Sequence, residues 1–111
     1  MIESKGRAAH QRLVARILEG QGHASLAQRR DAFENAALPE PLHTLIDKVA
    51  LSSYRVTDSD IAAVKAAGFS EDQIFELVIC AAVGQSTRQF SAAMSALDAA
   101  LADQGSKRDA T

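Results

Sequence analysis

The residues able to do chemistry are few and scattered. Cys80 is the single cysteine of the 111-residue chain, so one chain can form neither an internal disulfide nor a two-thiol redox centre. It lies within the apolar run Leu77 to Val83, where the surroundings raise a thiol's pKa and favour a small buried hydrophobe over a nucleophile. His10, His23 and His43 stand 13 and 20 residues apart and form no local metal pair. Glu40-x-x-His43 has the spacing found on helices that bind two irons, but it occurs once, at a proline-bounded helix start. The chain is expected to hold no metal and no cofactor.

Two groups are better placed. Tyr54, Arg55, Asp58 and Asp60 bring an aromatic hydroxyl, a cation and two carboxylates within seven residues, a set able to hold a polar or anionic small molecule. The competing reading is a helix start, because carboxylates in a first turn offset the positive end of the helix dipole. Glu76 sits between Phe75 and Leu77 at the edge of the most apolar segment. Burial there would raise its pKa and fit it for acid–base work; otherwise it pairs with an arginine, Arg88 in the same chain or one across a subunit boundary. The catalytic candidates are Glu76 and Asp60, and the ligand-binding candidates are Tyr54, Asp60, Glu76 and Arg88.

The elements that must position these residues are all helices. Leu13, Val14, Ile17 and Leu18 make one helical stripe, which Gly20-Gln21-Gly22 stops. Ser25-x-x-Gln28 is a capping box opening a second helix, with Leu26 and Phe33 on one face. Pro39 and Pro41 bound a rigid connector, and Leu42, Leu45, Ile46, Val49 and Ala50 then follow at clean helical spacing. Thr57-x-x-Asp60 starts a short helix that Gly68 ends. Phe69 and Ile74 can staple the next helix, whose start Ser70-x-x-Gln73 caps. From Ile74 to Val83 the chain is apolar almost all round. Continued unbroken to Asp103, that helix would span about 50 Å at 1.5 Å per residue, against a radius of gyration near ~13 Å for a compact domain of this size. A break is therefore expected at Gly84, with Ser86-x-x-Gln89 capping a last helix that carries Phe90, Ala93, Met94, Leu97 and Leu101. Six helices in one all-α domain are predicted: an N-terminal extension over 1–37, a core over 38–103 and a frayed tail over 104–111.

Composition narrows the function class. Forty-seven per cent of the residues are apolar and 23% charged, which suits an ordinary globular domain. Twenty-two of the residues are alanine, so the core needs close helix approach or cover from another subunit. No run reaches the roughly 18 apolar residues of a membrane span, and the start lacks a secretory leader's apolar block. No membrane association and a cytoplasmic location are the expectations. Residues 1–30 carry six basic side chains against two acidic, whereas residues 31–111 carry six against twelve. A basic arm on an acidic body either packs on that body or on a neighbouring subunit, or it seeks nucleic acid. A helix-turn-helix over residues 10–35 would take the second course, with Arg29 and Arg30 early on its second helix. Its turn is long and no compact third helix supports it, so nucleic acid is not the favoured partner.

The stretch KVALSSYRVTDSDIAAVKAAGFSEDQIFELVICAAVGQSTRQF resembles the carboxymuconolactone decarboxylase and alkylhydroperoxidase D-like superfamily. The similarity covers roughly residues 38–101 and is most specific at Ala67-Gly68-Phe69-Ser70-Glu71-Asp72-Gln73-Ile74. It implies an all-helical alkylhydroperoxidase D-like fold assembled as trimers or hexamers. The superfamily's peroxidases carry C-x-x-C-x-x-x-H upstream of this turn. In this chain those places fall on Ser53, Val56 and Asp60, so thiol peroxidase chemistry is excluded within the chain. What the resemblance leaves is a small-molecule-binding or non-redox enzyme oligomer, or a structural or regulatory oligomer whose site has filled in.

Overall fold

In a computed structural model, which describes the backbone of residues 2–110 and the side chains of residues 5–103, every regular element is helical. The helices are α1 (Ile2–Glu19), α2 (Leu26–Glu34), α3 (Leu42–Leu51), α4 (Asp58–Ala66) and α5 (Glu71–Ala110), with one 3-10 turn at Ser53–Arg55 between α3 and α4. Among the described residues there is no strand, and no helix is long and apolar enough to cross a membrane.

The helix starts read from sequence are built as the capping chemistry requires. Ser25 and Gln28 exchange side-chain and backbone hydrogen bonds at the start of α2, as do Thr57 and Asp60 at the start of α4. At the start of α5 the Gln73 N–H donates to Ser70 Oγ and the Ser70 N–H to Gln73 Oε1. Gly68, at φ 106°, closes α4. Its N–H donates to Lys65 O and that of Phe69 to Val64 O, the paired bonds of a Schellman end. Asn35, in the left-handed region at φ 51°, ends α2 in the same way.

The expected break at Gly84 does not occur: α5 is one helix of 40 residues. Ser86 Oγ donates back to Ala82 O and Val83 O, as a serine inside a helix does, and caps nothing. Gly84 serves packing instead. A Cβ at this position would stand 2.6 Å from the Phe33 carbonyl carbon and 2.9 Å from Phe33 Cα, so the bare glycine lets the end of α2 rest directly on α5. Arg88, one turn further along, donates to the same Phe33 carbonyl at 2.6 Å. The premise of a compact chain does not hold. The molecule measures 65 × 28 × 20 Å with a Cα radius of gyration of 18.0 Å, because α5 runs out of the body. Among the described residues there are therefore five α-helices rather than six.

The core gathers around the first half of α5, which touches all four other helices. Leu42, Leu45 and Ile46 of α3, Val64 of α4 and Leu77, Cys80 and Ala81 of α5 are buried, with Leu18, Ala24, Ala32 and Leu38 closing the N-terminal side. Helix α1 runs antiparallel to α5. Cys80 Sγ lies 3.7 Å from Ile17 O, and seven residues back on α1 His10 Nε2 lies 2.9 Å from Thr87 Oγ1. The expected α2 stripe is also revised: Leu26 is exposed, Phe33 is partly buried, and the fully covered positions are Arg29 and Ala32.

Candidate functional site: the cleft beneath the α1–α2 loop

Two glycines, Gly20 and Gly22, let the chain between α1 and α2 fold tightly over the start of α5. A Cβ at Gly22 would stand 2.9 Å from Arg29 Nη2 and would overlap Glu76 Oε1, so any larger residue would have to push the ends of these two side chains aside. The loop is held from two sides. Glu76 accepts the His23 N–H with both carboxylate oxygens at 2.8 Å. Gln73, already part of a capping box, donates its amide to His23 O at 3.2 Å. From the other side Arg29 donates Nε to Ala24 O at 3.0 Å and Nη1 to Gly20 O at 2.6 Å.

Arg29 is only 4% exposed, and a buried guanidinium is tolerated when its donors are matched by acceptors. Two of its nitrogens are so matched. Nη2 has no hydrogen-bond partner among the described residues and faces the corner shared by Gly22 and Glu76. Arg29 and Glu76 also line a cleft of about 370 Å³ together with Arg16, Ile17, Gly20, Gln21, Phe75 and Ile79. Its chemistry is divided. Arg16, Arg29 and Glu76 supply charge at the loop side, and Ile17, Ile79 and the largely exposed Phe75 supply an apolar wall. The loop and Arg29 also border a shallower trough of about 620 Å³ that includes His23 and Leu26.

Cys80 behaves as the sequence suggests. It is buried, and desolvation pushes its thiol pKa up, with Arg29 pulling it down and Glu76 adding to the rise. Among the described residues no group of His, Cys, Asp and Glu is arranged to hold a metal ion. Glu40 accepts from Thr44 N and Oγ1 at 3.3 and 2.6 Å, at the start of α3.

The four ligand-binding candidates are not joined to one another by any hydrogen bond or ion pair among the described residues. Tyr54 is 87% exposed on the 3-10 turn. Asp60 caps α4 and accepts both contacts from Lys48 Nζ, at 2.9 and 3.0 Å, which with the Thr57 N–H hold its pKa below the usual range. Glu76 pairs with the loop and not with Arg88, which is committed to Phe33 O and Gln85 Oε1. Of the four, Glu76 alone lines the cleft. Sequence reasoning does not single out Arg16 or Arg29 as site residues. Arg29 reads in sequence as a polar face of α2, and only the covering loop turns it inward. The one signal available was Gly22, a glycine placed where nothing in the pattern asks for a second helix stop. Burial of Arg29 also withdraws the side chain that a recognition helix would show to DNA.

No family model, no curated protein and no solved structure matches the chain.

Proposed function

We propose that the protein is a homo-oligomeric small-molecule-binding protein, similar to the carboxymuconolactone decarboxylase-like superfamily but without peroxidase chemistry, and that its ligand enters the cleft beneath the α1–α2 loop. The observation that carries this reading is the buried Arg29, which lines the cleft together with Glu76 and whose Nη2, next to Gly22, has no partner among the described residues. A cation fixed by two backbone carbonyls and open on one edge is ready to meet an anionic oxygen without reorganising. Arg16 adds a second positive charge, and Phe75, Ile17 and Ile79 offer an apolar surface. Together they favour a compact organic anion with an apolar body. A trimeric or hexameric assembly is part of the proposal and follows from the resemblance.

The second reading, a structural or regulatory oligomer with a filled site, is favoured by Asp60. Its carboxylate lies where the resemblance would put a reactive group, and it is taken up by Lys48 and the α4 cap.

Native mass spectrometry of the full chain as purified, with benzoate as a probe anion, separates the two. The binding reading expects subunit-stoichiometric extra mass or benzoate adducts, lost in Arg16→Ala with the assembly unchanged. Bare protein mass, and benzoate adducts no more frequent in the wild type than in Arg16→Ala, would overturn it.

A further inference from the structure

The wall of the cleft carries charges of both signs that do not neutralise one another. Arg29 Nη2 and Glu76 Oε1 both lie against the place a Gly22 Cβ would take. Yet the ion pairs among the described residues join His23 to Asp72 and Glu76, Lys48 to Asp60 and Lys65 to Glu71, and none joins an arginine to Glu76. The backbone keeps the two apart. Arg29 is held on Gly20 O and Ala24 O, and Glu76 on the His23 N–H. A cation and a carboxylate are thus fixed side by side, each by main-chain groups and neither by the other.

Both keep capacity for a further partner. A carboxylate offers about four lone-pair sites, and the hydrogen bonds to Glu76 among the described residues come from one N–H. Its side chain is 22% exposed, so it can be reached. Among the described residues the fully buried side-chain polar atoms without a partner are Asn35 Oδ1 and His43 Nδ1. Arg29 Nη2 is unpaired but is not one of these, so it retains an accessible edge.

We propose that the ligand of this cleft is a zwitterion, an α-amino acid with an apolar side chain, whose carboxylate meets Arg29 and Arg16 and whose ammonium meets Glu76. The inference rests on the proposed function and deepens it by naming the ligand class. A ligand that is only an anion would bring its charge beside Glu76, and like charges in a partly covered site repel. An amine alone would face two arginines. An α-amino acid carries both charges on one carbon, as the loop sets a cation and a carboxylate against one point. Its side chain would lie on Ile17, Phe75 and Ile79, covering an aromatic ring that is otherwise 66% exposed. A volume of about 370 Å³ stands near the lower end for small-molecule sites and suits a ligand of this size.

Isothermal titration calorimetry of the full chain tests it, with phenylalanine and leucine each measured beside its deaminated and its decarboxylated form. At least one of the two amino acids is expected to bind about tenfold or more tightly than either of its truncated forms, since each of those lacks one charge-assisted contact. Deaminated forms that bind as tightly as the amino acids would overturn the amino-acid assignment and leave the anion-binding cleft standing. Decarboxylated forms that bind as tightly, or no binding by any of the six compounds, would overturn both. Glu76→Gln is expected to close the gap between an amino acid and its deaminated form, and a gap that persists in a folded variant would overturn the ammonium contact. Should Glu76→Gln fail to fold, the six compounds on the wild type decide alone.

Discussion

Arg29 shows how much one buried side chain can organise. Its guanidinium satisfies the carbonyls of Gly20 and Ala24, so its removal leaves both loop acceptors short of a donor and opens a cavity. Arg29→Met is expected to destabilise the fold by about 2–4 kcal/mol, within the range for breaking a buried charged network. Arg29→Lys should recover only part of this, since an ammonium lacks the fork that reaches two carbonyls at once. Urea unfolding checks both, and a Lys variant as stable as the wild type would contradict the bidentate role. Asp60 gives a pH signature instead. The Lys48 and Thr57 bonds lower its folded pKa, so its contribution is fully present above the unfolded aspartate value near ~4 and is lost as pH falls through the folded value. The stability difference between wild type and Asp60→Asn should therefore be constant at neutral pH and shrink in acid. A difference that grows on acidification would show that the Lys48 pair does not hold the folded carboxylate charged.

At the scale of the helix, the legible parts of the sequence were those with local causes. Capping boxes at Ser25, Thr57 and Ser70 and the left-handed Gly68 depend on residues within one turn of each other, and all stand where the spacing put them. Ser86-x-x-Gln89 has the same pattern and caps nothing, because the helix around it is already propagating and its alanine-rich continuation favours the helical state. Gly84 was ambiguous for a related reason: a glycine that ends a helix and one that admits a neighbouring helix are the same letter. The two roles predict opposite effects of added bulk. Gly84→Ala puts a methyl into Phe33 and should cost about 1–3 kcal/mol through overpacking, despite alanine's better helix propensity. Gly6, within α1, has open space around it, with nothing within 4 Å of the place a methyl would take, so Gly6→Ala should stabilise by up to about 1 kcal/mol. Thermal unfolding of the two variants side by side checks the contrast, and equal shifts of one sign would remove the packing role given to Gly84.

For the molecule as a whole, helix class and core were readable and shape was not. The buried positions Leu42, Leu45, Ile46, Leu77 and Cys80 follow from periodicity, whereas the candidate cleft depends on a loop folding back over α5, which no local pattern encodes. Likewise Glu76 and Arg88 looked like partners until the loop and α2 claimed one each. The protruding end of α5 follows from the same limit, since sequence periodicity marks an apolar face without saying what covers it. A helix of this length without tertiary contacts is marginal in water even when rich in alanine, so amides over 91–103 should exchange quickly in an isolated chain. Amides over 74–87, where α5 is packed against the other helices, should be protected. Hydrogen exchange in protein dilute enough to be single chains reads this directly. Fast exchange over 91–103 beside protection over 74–87 is the expected result. Strong protection over 91–103 in the single chain would mean that the projecting helix is held by its own chain, against the exposure of its side chains.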